Sequence, residues 1–587
     1  MRRKLLFAPL FCLSLLSFCF AQAQNVDVTG QVKDESGNPV QGAVVAVKGS
    51  KKATTTNDNG SFSINVAKGA TLVISHVGFG SREMLADGSA LSIILSNQSK
   101  ELSEVVVTAL GIKKEKKALS YSVSEVKGSD LTEARSVNIA NSLEGKVAGL
   151  NIASTATGSG GSTRIIIRGN GSLSANNQPL IVVDGIPMNN DNINQQVNAM
   201  QGGASSVGMW GGTDQGDGIS SLNPDEIESI SVLKGGTAAA LYGSRASNGA
   251  ILVTTKSGSK NKNDAIGLEF NSNFVAESLL YKKFDDYQYV YGLGDINPLV
   301  DPLRGQKPTV GDPNQGQTNS FGAKLDGSSV VQYDGVSRPY SAVTDNLTKF
   351  YKVGNTFTNS LALSGSTDKL AYRFSLSDLN NKGILPNSTL RRDNGAMNLS
   401  GTMSKRLSFV ANVKFISEKT HNRPRLSDSP GNAAYTMWTL PTSLSVETLK
   451  ANVLTTTGNE KVWSNNQYVQ NPYFASYNYQ RDDIKNRWIT SFEPKFNLTD
   501  WLYVKGLVGF DKYNYQNTDI TPTGAGYQLG GGYTRQLLDF NESNVGFFIG
   551  GDKKFGGDIG LDFNVGGNAM KQSILRDNQN GGPFNIP

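Results

Sequence analysis

The sequence predicts a mainly β chain in three parts: an N-terminal β-sandwich, an α/β globule, and an antiparallel transmembrane β-barrel wall that is incomplete here. Three observations predict this. Apolar and polar residues alternate with the period of a half-buried strand through residues 25–97 and again beyond about residue 265. Between these stretches the pattern changes to apolar residues at helical spacing mixed with short apolar runs. Glycine is abundant, at 64 of 587 residues, and charged residues make up only 18%, a balance that favours strands and turns.

The same composition narrows the chemistry. His76 and His421 are the two histidines, and Cys12 and Cys19 are the two cysteines. A zinc site of His and Cys, a Ser-His-Asp triad and a disulfide framework therefore lack their raw material. No catalytic residue, metal ligand or cofactor is assigned, and an enzyme is not expected. The formal charge is +6, and Arg2, Arg3 and Lys4 supply three of it, leaving +3. That is no nucleic-acid footprint.

In chain order, Arg2, Arg3 and Lys4 precede an apolar run from Leu5 to Phe20, and Ala21-Gln22-Ala23 fits the small-x-small cleavage rule. Residues 1–23 thus read as a secretory signal. Residues 25–97 read as the sandwich: Val26, Val28 and Val32 alternate with polar neighbours, as do Phe62, Ile64 and Val66, and then Leu91, Ile93 and Leu95. Asn59-Gly60 is placed as a hairpin turn between two such runs, and Asn57-Asp58-Asn59-Gly60 as a plain turn without calcium-loop spacing. Residues 98–118 form a linker that includes the β-branched stretch Glu104-Val105-Val106-Val107-Thr108-Ala109 and a lysine-rich run from Lys113 to Lys117.

Residues 119–257 carry the α/β pattern. Ile139, Leu143 and Val147 recur at helical spacing with Ser136 as cap. Ile165–Ile167, Leu180–Val183, Ile230 with Val232, and Ile251–Val253 are strands. Asn223-Pro224 places a cap before a proline at the first helical position. Asp184-Gly185 and Gly235-Gly236 are turns, and Gly158-Ser159-Gly160-Gly161 is a turn without phosphate-loop spacing. A polar loop from Asn189 to Gly218 is too long for a plain connector and reads as functional or mobile. Arg168 and Arg245 are expected in ion pairs within the globule or to the wall.

From residue 265 to 587 the alternation is sustained. Leu268, Phe270, Phe274 and Ala276 share one face, and Glu269, Asn271, Asn273 and Glu277 the other. Leu361 and Leu363 face Leu370, Tyr372, Phe374 and Leu376 across Ser366-Thr367-Asp368. Leu407 to Phe415, Leu502 to Phe510, Val545 to Ile549 and Ile559 to Val565 repeat the pattern, with Lys414, Lys505, Asp511 and Asp562 on opposite faces. Strands of about 9–11 residues, short turns at one end and long polar loops at the other mark an outer-membrane barrel. A secreted soluble β-protein is the alternative. Roughly nine strands are counted.

The stretches ELSEVVVTALGIKKEKKALSYSV, SLEGKVAGLNI, RIIIRGNGSL, PLIVVDGIP and SLNPDEIESISVLKGGTAAALYGSRASNGAILVTTKSG resemble the linker and plug of the SusC/RagA family of TonB-dependent outer-membrane transporters. VTGQVKDESGNPVQGAVVAVKG with NDNGSF resembles carboxypeptidase-regulatory-like domains, which are binding or spacer modules. The resemblance implies a plugged barrel of about 22 strands, so this sequence resembles the N-terminal part of a longer product. It implies active import of an oligosaccharide or glycan, or of a peptide, driven by TonB with a SusD-like surface lipoprotein, in an outer membrane with the N-terminal domain in the periplasm. A receptor for metal chelates or a vitamin, and a secreted adhesion module, are the other readings. The resemblance places the TonB box at Glu104 to Ala109; an edge strand of the sandwich or plug is the alternative there. Trp210 is a candidate substrate-facing residue, with an anchor for its own loop as the alternative.

Overall fold

The computed structural model describes residues 25–584 apart from 35–36, 51, 78, 97–104, 108–112, 116–122, 134, 156, 174–175, 192–213, 259–265, 281–286, 295–319, 465 and 556–558. The chain divides into two compact units at the linker, around Val105 and Ala118.

The N-terminal unit is a sandwich of two sheets. Asn25–Asp34 lies between Ser61–Ala67 and Leu91–Leu95, and the second sheet runs Ala53–Thr55, Val44–Val47, Thr71–Ser75, Arg82–Leu85. The alternating residues do what their period dictates: Val28, Val32, Ile64, Leu72, Ile74 and Ile93 meet in one apolar core. Asn59-Gly60 departs from expectation. It joins Ala53–Thr55 to Ser61–Ala67, which belong to different sheets, so it is a crossing between layers and not a hairpin. The Asn57 side-chain oxygen accepts from the Asn59 and Ser61 amides at 3.1 and 2.9 Å. Gly60 adopts φ 69°, which glycine tolerates without strain.

The second unit begins with the α/β globule. Its five-stranded sheet runs Val123–Lys127, Ile227–Leu233, Ala250–Thr255, Leu180–Val183, Ile186–Met188, and Leu150–Ser154 pairs with Thr163–Ile167. Short apolar runs become strands here because both faces are covered; Ile181, Val183, Ile230, Val232 and Ile251 are buried. Asn223 caps the 3-10 turn Pro224–Glu226 by accepting from the Asp225 amide. The other cap is Asn138, not Ser136. Asn138 accepts from the Ala140 amide and starts the 3-10 turn Ile139–Leu143, which ends at the extended Glu144, while Ile139, Leu143 and Val147 are still buried in one core.

The wall is a nine-stranded antiparallel sheet in simple sequence order. Its strands are Gly267–Glu277, Gly354–Ser366, Leu370–Lys382, Thr389–Thr402, Leu407–His421, Gln480–Asn497, Leu502–Thr521, Gly532–Phe555 and Ile559–Gly581. Leu361 pairs with Leu376 and Leu363 with Phe374, as the alternation requires. Leu268, Phe270, Phe274, Leu376 and Phe547 stand exposed on the outer face, whereas Lys414 and Asp511 are buried on the inner one. Such an apolar exterior with a polar interior is the signature of a wall facing lipid. No helix among the described residues is long and apolar enough to cross a membrane.

The strands are longer than expected. They reach 20 residues in Leu502–Thr521 and 24 in Gly532–Phe555. At about 3.3 Å per residue, even strands tilted by roughly 45° outrun an apolar band of about 25 Å. The expected length counted only the lipid-facing part, and the ladder continues beyond it. At the long-loop end, segments 278–353 and 422–479 carry the short helices Asn346–Phe350, Ala433–Thr439, Val446–Ala451 and Pro472–Tyr477. These share a core of Phe350, Met437, Leu444, Val446, Leu449 and Trp463.

Candidate functional site

The globule lies against the inner face of the wall, and two kinds of contact hold it there. Some are apolar: Ile416 and Ile489 of the wall join the globule core, and Ile186 packs with Leu507 and Phe548. Gly509 belongs to this contact, since a Cβ there would overlap Ile186. Most of the named side chains at the seam are charged. Arg487 donates to both Asp511 oxygens at 2.8 and 2.6 Å and to the Asn189 carbonyl at 2.8 Å, and the Asn189 amide donates to Asp511 at 2.9 Å. Arg423 donates to Asp483 at 2.5 Å and to the Gly160 carbonyl at 2.6 Å. Arg392 pairs with Glu418 at 2.8 Å and reaches the Val137 carbonyl at 3.2 Å. Lys414 pairs with Asp184, and Arg245 with Glu542 at 2.9 Å.

Two globule aspartates organise the turn nearest the long loops. Asp214 accepts from the Thr155 and Thr157 hydroxyls at 2.6 and 2.7 Å and from the Ser162 amide at 2.7 Å. Burial works to raise its pKa, but the Arg423 charge and these donors outweigh burial and hold it below the usual carboxylate value. Asp217 accepts from the Thr163 amide and hydroxyl at 2.7 and 2.9 Å. With burial as the largest influence, exceeding that of its hydrogen bonds, its pKa is raised.

Above this turn lies a cavity of about 350 Å³ between the globule and the long-loop end. Asn138, Asn141, Ser159, Glu277, Ser388 and Trp438 are among its lining residues, and Glu277 is the one charged side chain in that lining among the described residues. Trp438 stacks on Tyr287 with ring centroids 6.5 Å apart, and Tyr287 stacks on Tyr289 at 6.3 Å. The cavity thus offers hydroxyls, amides and the Trp438 ring, a surface suited to an uncharged polar solute. No group of three His, Cys, Asp or Glu residues is placed to hold a metal among the described residues.

Comparison with known proteins accounts for this arrangement. Residues 115–250 match the TonB-dependent Receptor Plug Domain, and residues 28–107 match the CarboxypepD_reg-like domain. The TonB-dependent receptor SusC of Bacteroides thetaiotaomicron is 31% identical over 400 residues, 68% of this chain and 34% of SusC. The chain is a SusC/RagA-type TonB-dependent receptor. The TonB-dependent receptor P3 of Formosa agariphila is 26% identical over 563 residues, 94% of this chain and 49% of that relative. The solved RagAB peptide importer in its open-open state shares the fold, with a TM-score of 0.61 at 19% identity, covering 81% of this chain and 50% of that one. The chain therefore spans between about a third and a half of the length of these relatives.

In receptor terms the globule is the plug and the wall is barrel. Of the sequence-derived site residues, Val105–Val107 form a short strand hydrogen-bonded to Lys113–Glu115. The stretch is extended, as its β-branched residues favour, but it pairs within the linker and joins neither the sandwich nor the plug sheet. Glu104, Thr108, Ala109 and Trp210 lie outside the described residues, as do residues 1–24. The described ends of the loop that holds Trp210 are buried: Asn189 at one end, Asp214, Gln215 and Asp217 at the other. Arg245 makes its expected ion pair with the wall, whereas Arg168, exposed and at φ 59°, makes none among the described residues. The seam residues Arg423, Asp483 and Arg487 were not singled out from sequence. A signal existed: Arg481, Asp483, Lys485 and Arg487 are charged at every second position of one strand, which aims all four at the same face.

Proposed function

We propose that this receptor imports an oligosaccharide across the bacterial outer membrane, with its N-terminal domain in the periplasm, energy from TonB, and a SusD-like lipoprotein presenting substrate at the long-loop end. The observation that carries the reading is the cavity above the plug, with its hydroxyls and amides, the Trp438 ring and one charged lining residue among the described residues. Sugars present neutral hydroxyls and apolar ring faces, which such a surface matches.

Energy must arrive by pulling, since the plug fills the inner face of the wall. Glu104 to Ala109 is the proposed TonB box. The Val105–Val107 strand exchanges its partner Lys113–Glu115 for a strand of TonB, with main-chain hydrogen bonds supplying the grip. The test compares Val106→Pro with Val106→Ala in the full-length gene. Proline removes the amide donor and cannot join a ladder freely, so uptake should fail while surface binding of oligosaccharide persists; alanine should import near normally. Normal uptake with Val106→Pro ends the TonB-box assignment. Uptake of peptides but not oligosaccharides, in the unaltered receptor, replaces the substrate class.

A further inference from the structure

We infer that Arg481 forms an anion subsite for a single carboxylate on the transported oligosaccharide. The inference rests on the import reading above and adds an acidic group to the substrate it names.

Arg481 is 3% exposed and its Nε and Nη1 atoms have no hydrogen-bond partner among the described residues. Two carboxylates lie near it on the same face, and both are taken. Asp519, its partner across the ladder, accepts from Arg425 at 2.5 Å. Asp483, two residues along, accepts from Arg423 at 2.5 Å, from the Tyr515 hydroxyl at 2.8 Å and from Asn517 at 2.5 Å. Arg423 and Arg425 therefore occupy both carboxylates beside Arg481, and Arg423 also faces Asp214, so the Nε and Nη1 atoms of Arg481 are the donors left without an acceptor among the described residues. A buried cation without a counterion is costly, and buried charges are found paired. A carboxylate placed against Arg481 would supply the missing acceptor.

The space for it is present. Arg423, Arg425, Arg481, Asn432, Ser476 and Tyr479 are among the lining residues of a cavity of about 40 Å³. One water needs about 10–15 Å³ on this measure, so the cavity takes roughly three heavy atoms, the size of a carboxylate. Arg425 stacks over the Tyr479 ring at 5.2 Å, which helps to fix one side of it. Leu385, Ser388 and Pro424 line this cavity and the larger one above the plug. A sugar held in the larger, nearly neutral space could place one acid group in the smaller, cationic one. Guanidinium suits this task because its planar donors match a carboxylate.

The experiment uses the purified full-length receptor and three probes: a galacturonic acid trimer, the same trimer with its carboxyl groups reduced to alcohols, and trialanine. The unaltered receptor should bind the acidic trimer at least about tenfold more tightly than the reduced one, the scale of a charge-assisted hydrogen bond, and sodium formate should compete. Arg481→Met should abolish that preference while keeping affinity for the reduced trimer, which also shows that the variant is folded. Should it not fold, the preference and the formate competition in the unaltered receptor decide. Equal affinities for the two trimers, binding of neither, or a preference that survives Arg481→Met overturns the subsite. Arg481-dependent binding of trialanine alone overturns the oligosaccharide form and assigns the carboxylate to a peptide. TonB-dependent uptake of neutral oligosaccharides without any acid preference removes the subsite and leaves the import reading standing; absence of oligosaccharide uptake removes the import reading.

Discussion

The N-terminal sandwich and the seam between plug and wall are both buried, but different forces close them. In the sandwich, Thr56 is the one buried polar side chain among the described residues, and it is satisfied by the Val40 carbonyl and the Ala43 amide. The rest of its core is apolar. At the seam, Asp214, Asp217, Arg392, Glu418, Arg423, Asp483, Arg487, Asp511 and Glu542 are all buried. An apolar core gains by excluding water, at about 25 cal/mol per Å², and loses that gain whenever it opens. A charged seam can trade protein partners for water at a small net change where a group such as Asp511 or Asp214 has acceptable partners in both states. The sandwich is built to stay shut. The seam is built to be precise when closed and cheap to hydrate when the plug is pulled.

The sharpest way to break this comparison is to leave one seam charge without its partner. Asp511 is fully buried, and both its oxygens accept from one edge of the Arg487 guanidinium, Nε and Nη2. Arg487→Met should destabilise the seated plug by about 3–5 kcal/mol, read as earlier urea release of plug amides from hydrogen-exchange protection in the full chain. The double change Arg487→Met with Asp511→Leu should recover most of the loss, since replacing both partners of a buried pair is often close to neutral. If the double variant is as unstable as the single one, the pair is a true source of stability and the contrast with the sandwich weakens.

In the sandwich the expected response is additive and blind to partners. Ile93 is fully buried among apolar neighbours. Ile93→Ala should cost about 2–5 kcal/mol through lost transfer and the cavity left behind. The readout is faster exchange of the Val28 and Val32 amides, and no second substitution of opposite character should rescue it. Plug protection measured on the same sample should be unchanged.

How much of this was legible in the sequence follows the same division. The sandwich and wall strands were visible because alternation is a local property: Phe62, Ile64 and Val66 announce their face without reference to anything else. The seam was not visible, because its partners are far apart in the chain; Asn189 meets Asp511 at a separation of 322 residues. The charges at Arg481, Asp483, Lys485 and Arg487 reveal a shared face but not that a plug covers it. Turn geometry misled in two places for a related reason. Asn59-Gly60 has the chemistry of a hairpin turn, and only the pairing of its neighbours shows that it crosses between sheets. Asn138 and Ser136 are both competent caps, and the position of the Ala140 amide decides between them.

The smallest expected effect sharpens the comparison within the seam itself. Asp214 and Asp217 stand three residues apart yet are tuned in opposite directions. Asp214 has its pKa lowered, so its contribution to plug stability is present above the ordinary carboxylate range and is lost as pH falls through its folded value. Asp217 has its pKa raised, so its folded state favours the proton; its contribution is full below the ordinary range and is lost as pH rises through its folded value. As pH falls from about 7 to the usual carboxylate range near 4, acidification should leave Asp214 ionised and hydrogen-bonded while protonation relieves Asp217. Plug protection in the full chain should therefore rise modestly over that interval. Asp217→Asn should flatten the rise, whereas Asp214→Asn should lower protection at both pH values and keep the slope. A slope that survives Asp217→Asn and vanishes in Asp214→Asn would reverse the assignment and place the proton on the group that Arg423 holds.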